Sequence, residues 1–158
     1  MPVIAIDIAM HHLHAEPDDR VLVQAQLEAA EGAAMEFLNR RVYADQVALD
    51  QAKAGVPAAM RAAKEANTVA VAIAEVEPEH TLRARLLDHA RQALAEAYDQ
   101  ADAIAYGMVL NAQIQAACLL KLGHLFANRE EVVTGSTAVE LPLASQHLLM
   151  PYRIRMGV

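Results

Sequence analysis

Along much of this chain apolar residues recur at spacings of three and four, the repeat that places them on one face of an α-helix. A first short helix is expected from about Asp7 to His14, with Asp7 placed to cap or favour its positive end. Glu16-Pro17-Asp18-Asp19 interrupts it, because a proline pushes its predecessor out of the α region. Asp18 is suited to cap the next helix. That helix carries Val23, Leu27, Ala30, Ala34, Phe37 and Leu38 on one stripe. It is expected to end near Arg40-Arg41, where two cations suit the negative end of the helix dipole.

The middle of the chain, about residues 44–106, is dominated by Ala, Glu, Gln, Asp, Lys and Arg. Gly55 and Pro57 read as a helix stop followed by a proline in a new first turn. Beyond them Ala59, Ala62, Ala66, Val69, Ile73 and Val76 form a seam with alternating spacings of three and four. After Pro78, Leu87, Ala90, Leu94, Ala97, Ala101 and Ile104 form a second one. Two seams joined by Glu77-Pro78-Glu79 predict an antiparallel helical hairpin. Alanine seams let helix axes approach closely but bury little area, so this hairpin is expected to lean on the core or on a neighbouring subunit.

Gly107 marks the next break. A helix over about 110–128 carries Ile114, Cys118, Leu122 and Leu125, with Ala117, Leu119, Leu120 and Phe126 widening the apolar surface, so it belongs at the centre. Glu131 to Glu140 has no apolar pattern and is expected to be a mobile connector. Leu141-Pro142-Leu143 opens a short helix to about Leu149, Pro151 ends it, and Tyr152-Arg153-Ile154-Arg155 is a basic extended tail. The expected fold is therefore all-α: a small helical bundle with a long antiparallel hairpin inserted, and a mobile loop before a short C-terminal helix.

Composition agrees. The 158 residues suit one domain, and the 55% apolar content is rich in alanine, with no Trp and 4% aromatic residues. A formal net charge of −7 argues against gripping nucleic acid by charge, and is not against DNA passing nearby. The single cysteine, Cys118, excludes an intramolecular disulfide and a cysteine-based zinc site, and its apolar setting predicts a buried thiol. The N-terminal residues lack the basic and long apolar regions of a signal peptide. The uncharged run from Ala103 to Leu120 contains Gly107, Asn111, Gln113 and Gln115 and does not read as a membrane span. A soluble, intracellular protein is expected.

Candidate chemistry is sparse. His11, His12 and His14 could offer imidazoles to a metal, but no further ligand stands at a fixed spacing, and a solvated helix end explains them. Glu77-Pro78-Glu79-His80 has the Glu-x-x-His spacing of di-iron bundles, but Pro78 puts it at a turn and no second copy exists. No phosphate loop, zinc-protease motif or nucleophile elbow occurs. Gly135-Ser136-Thr137 follows no strand, and Asp99 with Asp102 fits a solvated face. No acid, base and pocket assemble, so no catalytic, cofactor-binding or metal residue is assigned.

The run His124-Leu125-Phe126-Ala127-Asn128-Arg129-Glu130, then Leu141-Pro142, then Leu148-Leu149-Met150-Pro151-Tyr152-Arg153 resembles the C-terminal signature of phage head–tail connector (adaptor) proteins. Leu27, Ala29, Ala30 and Phe37 before Arg40-Arg41, preceded by Asp18-Asp19, are similar to that family's N-terminal part. The resemblance spans about residues 5–43 and 107–155, with 44–106 as an insertion. It implies a non-enzymatic ring of about a dozen copies beneath the portal protein, meeting tail or head-completion proteins and extending the DNA channel. Such a subunit is made in the host cytoplasm and ends in the virion neck. By resemblance, Asn128, Arg129 and Glu130 fix the end of the central helix and its contacts to a neighbour. Leu141, Pro142, Leu148, Leu149, Pro151, Tyr152 and Arg153 pack the tail onto the body or the next subunit, and residues 131–140 order on assembly. Another neck or tail-completion protein, a general helical interaction module and a histidine-based metalloenzyme stay open as other readings.

Overall fold

A computed structural model describes residues 2–128 and 144–154. These residues form six α-helices and one two-residue strand pair, an all-α architecture. The chain divides into two compact units, one of Met1–Asp45 with Met108–Val158 and one of Gln46–Gly107.

In the first unit α1 spans Ile6–Leu13 and α2 spans Arg20–Leu38. Both end in the same way. His14 and Asn39 take left-handed backbone, with φ of 51° and 55°. The N–H of Ala15 then donates to the Met10 carbonyl, and that of Arg40 to Met35, so orphaned last-turn carbonyls find donors. Asn tolerates this conformation, which explains why α2 stops at Leu38 and not at the arginine pair. The expected cap by Asp18 does not form. Pro17–Asp19 is a 3-10 turn, Asp19 holds the cap position, and neither contributes a side-chain cap bond. Asp7 lies in the first turn of α1 and pairs with Arg20 at 2.9 Å instead of capping.

Strand β1, Val42–Tyr43, pairs in parallel with β2, Met108–Val109. The Met108 and Leu110 N–H groups donate to Arg41 and Tyr43 carbonyls at 3.0 and 2.8 Å. Two residues per strand are too few to show an alternating pattern, so periodicity alone does not reveal this pair. Helix α5, Ala112–Ala127, begins with Asn111, whose side-chain oxygen accepts from the Ile114 N–H at 2.9 Å. Helix α6 spans Ala144–Leu149 and continues into a 3-10 turn, Met150–Tyr152. One cluster of buried side chains unites these elements: Ile4 and Ala9, the α2 stripe Val23, Leu27, Ala30, Ala34 and Leu38, Val42, the α5 stripe Ile114, Ala117, Cys118 and Leu122, and Leu149. The stripes read from the sequence for α2 and α5 are these faces.

The second unit is a hairpin of α3, Gln46–Glu75, and α4, His80–Ala105. Its turn is held by local bonds. The Glu79 carboxylate accepts from the Thr81 and Leu82 N–H groups at 3.1 Å each, and Arg83 donates twice to the Glu77 carbonyl at 2.8 and 2.6 Å. Glu77 to His80 is thus a turn and a helix cap. The seam of α4 is the expected one, with Ala90 and Ala101 buried and Leu87, Leu94, Ala97 and Ile104 half-buried.

Two expectations for α3 fail. The helix runs through Gly55 and Pro57 without a break. A proline there removes one backbone hydrogen bond at a cost of about 3 kcal/mol. Packing over a helix of 30 residues offsets that loss. The seam also lies on another face. Leu49 and Ala74 are buried and Ala52, Val56, Met60, Ala63, Asn67 and Ala70 half-buried, whereas Ala59, Ala62, Ala66, Val69, Ile73 and Val76 are exposed. An alanine-rich helix offers two apolar stripes of the same period, and periodicity cannot choose between them.

Candidate assembly surface

The C-terminal tail is built onto the end of α2. Leu149 is buried in the core, and Leu148 and Tyr152 pack against it. The Tyr152 hydroxyl donates to the Gln113 side-chain oxygen on α5. Its carbonyl accepts from the Arg40 guanidinium at 3.3 Å. The Arg153 guanidinium carbon sits 4.8 Å from the centre of the Phe37 ring, a cation–π contact. Ile154 uses both backbone groups: its N–H donates to the Leu38 carbonyl at 3.1 Å, and its carbonyl accepts from the Asn39 amide at 2.9 Å. The left-handed turn at Asn39 exposes the Leu38 carbonyl and places the amide side chain that the tail uses. Pro151 is exposed within the 3-10 turn.

At the end of α5 His124 and Asn128 form a local cap. Both the backbone N–H and the side-chain amide of Asn128 reach the His124 carbonyl, at 3.0 and 2.9 Å, and that amide lies 3.0 Å from the His124 ring nitrogen Nδ1. Phe126 is half-buried against the core. Gln26 of α2 donates to the Leu125 carbonyl at 3.2 Å, so neighbouring helices share the burden of satisfying the α5 terminus. Arg129, Glu130, Leu141 and Pro142 lie outside the described residues, as do the connector 131–140 and Arg155. Of the twelve residues singled out from sequence, the eight described ones gather at two places, the cap of α5 and the tail on α2.

Glu31 was not among them. It is 5% exposed in the middle of the α2 stripe, and its two carboxylate oxygens accept the Val3 and Ile4 N–H groups at 2.8 and 2.7 Å. An acid four residues after Leu27 and three before Ala34 is the one sequence sign of that role. It latches the N-terminal segment over the core and satisfies two donors that would otherwise be buried unpaired. Beside it, burial pushes the Cys118 thiol up to about 12, with the Glu31 charge adding to the effect. Such a thiol is an inert core residue.

His11 and His14 stand edge to face with ring centres 6.0 Å apart. Among the described residues no three His, Cys, Asp or Glu side chains come together where they could hold a metal ion. None of the described helices is long and apolar enough to cross a membrane. An open groove of about 130 Å³ lies between α2, α5 and α6, lined by small side chains together with Phe37, Lys121 and Leu149. Comparison with known proteins finds no family model, no curated protein and no solved structure that matches the chain.

Proposed function

We propose that this chain is a structural subunit of a phage neck, forming a ring beneath the portal that joins head to tail and continues the DNA channel. One observation carries the reading beyond the motifs themselves. The two separated stretches that resemble connector proteins, about 5–43 and 107–155, fall in one compact unit around one core, while residues 46–107 form another. An insertion into a connector body is expected to behave in this way, entering and leaving through adjacent strands, here β1 and β2. The tail contacts support it from a second side, because Tyr152, Arg153 and Ile154 bind the end of α2 just before Arg41 and so join the two ends of the resemblance. A ring of head-to-tail contacts that closes supplies each subunit with a neighbour against which a thin, alanine-rich hairpin can lean. The acidic balance suits a channel that lets DNA pass without sequence-specific binding.

Native mass spectrometry and negative-stain microscopy of the purified full chain, alone and with the portal protein, test this. Closed rings of about a dozen copies are expected once the portal protein is added, which gives the ring its template. Arg129→Ala should reduce ring formation while leaving the melting of the isolated subunit unchanged. A chain that never exceeds a dimer at any concentration, even with portal present, would falsify the ring.

A further inference from the structure

On α3, away from the seam with α4, a line of large apolar side chains stands exposed. Val69 and Ile73 of α3, and Val76 one residue past its end, are 60%, 61% and 80% exposed. They continue the 3-4 spacing of Ala59, Ala62 and Ala66, which are also exposed. Six apolar positions at this spacing form a straight stripe that accepts another helix by knobs-into-holes packing. The stripe is divided by size, with three alanines in its first half and three larger side chains in its second.

We propose that this stripe is a contact between two copies of the chain, paired antiparallel along α3. When Ala66 of one copy lies beside Val69 of the other, Ile73 falls on Ala62 and Val76 on Ala59, and the reverse contacts repeat by symmetry. Every layer then holds one alanine and one larger side chain, which keeps the axes parallel and the layers filled. Parallel pairing sets alanine on alanine at one end and isoleucine on isoleucine near the other, so the axes would have to splay. Shifting the antiparallel register by a heptad toward the N-terminus brings Glu65 of both copies to nearly the same height on the same edge, a like-charge contact. Shifting it the other way sets Val69 on Ile73 and leaves Ala59 and Ala62 unpaired. The stripe therefore complements itself in one register.

Six such positions cover less than the roughly 800 Å² per partner of a standard interface, so the pair belongs with weak, reversible contacts. A two-fold contact closes at two copies and cannot propagate a ring, so this surface is separate from ring assembly.

Sedimentation of the full chain at concentrations up to about 1 mM should show monomer converting to dimer as concentration rises. Ile73→Glu should remain monomeric over the same range with unchanged helicity, since the side chain is exposed. Disulfide trapping reads the register. Along one helix Ala62 and Ile73 are about 16 Å apart, and in the pair two copies of either residue are separated by the same distance. That exceeds the roughly 7 Å that a disulfide spans between Cα atoms. Ala62→Cys chains mixed with Ile73→Cys chains should therefore cross-link under mild oxidation, while each variant alone should not. Cys118 is buried and does not compete. The proposal fails if the native chain stays monomeric throughout, or if either variant alone links as readily as the mixture. It fails too if Ile73→Glu abolishes rings, since the stripe would then belong to ring assembly.

Discussion

Glu31 occupies a position where helical periodicity calls for an apolar side chain, and its carboxylate meets two backbone donors. Burying a charge is costly unless hydrogen bonds replace water, and here two short ones do. Replacing it with Ala removes both acceptors and leaves the Val3 and Ile4 N–H groups unpaired. Glu31→Ala should destabilise the first unit by about 2–4 kcal/mol, and Glu31→Gln, which keeps one acceptor oxygen, by roughly half as much. Urea unfolding gives the magnitude, and amide exchange at Val3 and Ile4 should accelerate in step. An alanine variant as stable as the native chain would mean that the latch contributes nothing. Asn39 makes a related case: its left-handed backbone ends α2 while its amide holds Ile154.

Among elements, α3 carries the clearest conflict between local preference and observed structure. Gly55 and Pro57 are poor interior helix residues, yet the helix continues through both. At Gly55 an added Cβ would meet nothing within 4 Å, and its φ is not positive, so the glycine serves no steric need. Gly55→Ala should therefore stabilise the hairpin by about 0.5–1 kcal/mol, and Pro57→Ala by up to about 3 kcal/mol, read as a higher melting midpoint with added helical signal. A loss of stability in either variant would show that the local geometry depends on the native residue. The hairpin's own packing is thin because its seam is largely alanine, and Asn67 sets a side-chain oxygen into it without a hydrogen bond among the described residues.

For the whole molecule, the decisive feature is that the principal core draws all its members from the first unit. Tyr43 and Val109 are paired partners across β1 and β2, so the chain ends left by removing the hairpin are close in space. Replacing 46–107 with a short flexible linker should leave a cooperatively unfolding helical protein, because loop closure over such a short span costs little. Circular dichroism on heating and the dispersion of amide resonances would check this. A molten or unfolded product would show that the first unit depends on the hairpin.

The sequence by itself determined the helices and their approximate limits outside α3, which it broke at Gly55, the buried faces of α2, α4 and α5, and the turn at Pro78, since these follow from local spacing and from the backbone chemistry of proline. It also marked His124, Phe126, Asn128, Leu148, Leu149, Tyr152 and Arg153 as unusual. Only the tertiary structure decided which of two equivalent alanine-rich stripes on α3 faces α4, because periodicity is blind to direction when both faces are apolar. It alone placed β1 beside β2, 66 positions apart in the register Val42 to Met108. It alone brought Glu31 to the N-terminal backbone and Ile154 to the end of α2, contacts that join residues distant in sequence. Such contacts are set by packing the whole chain around one core, and no local pattern contains them.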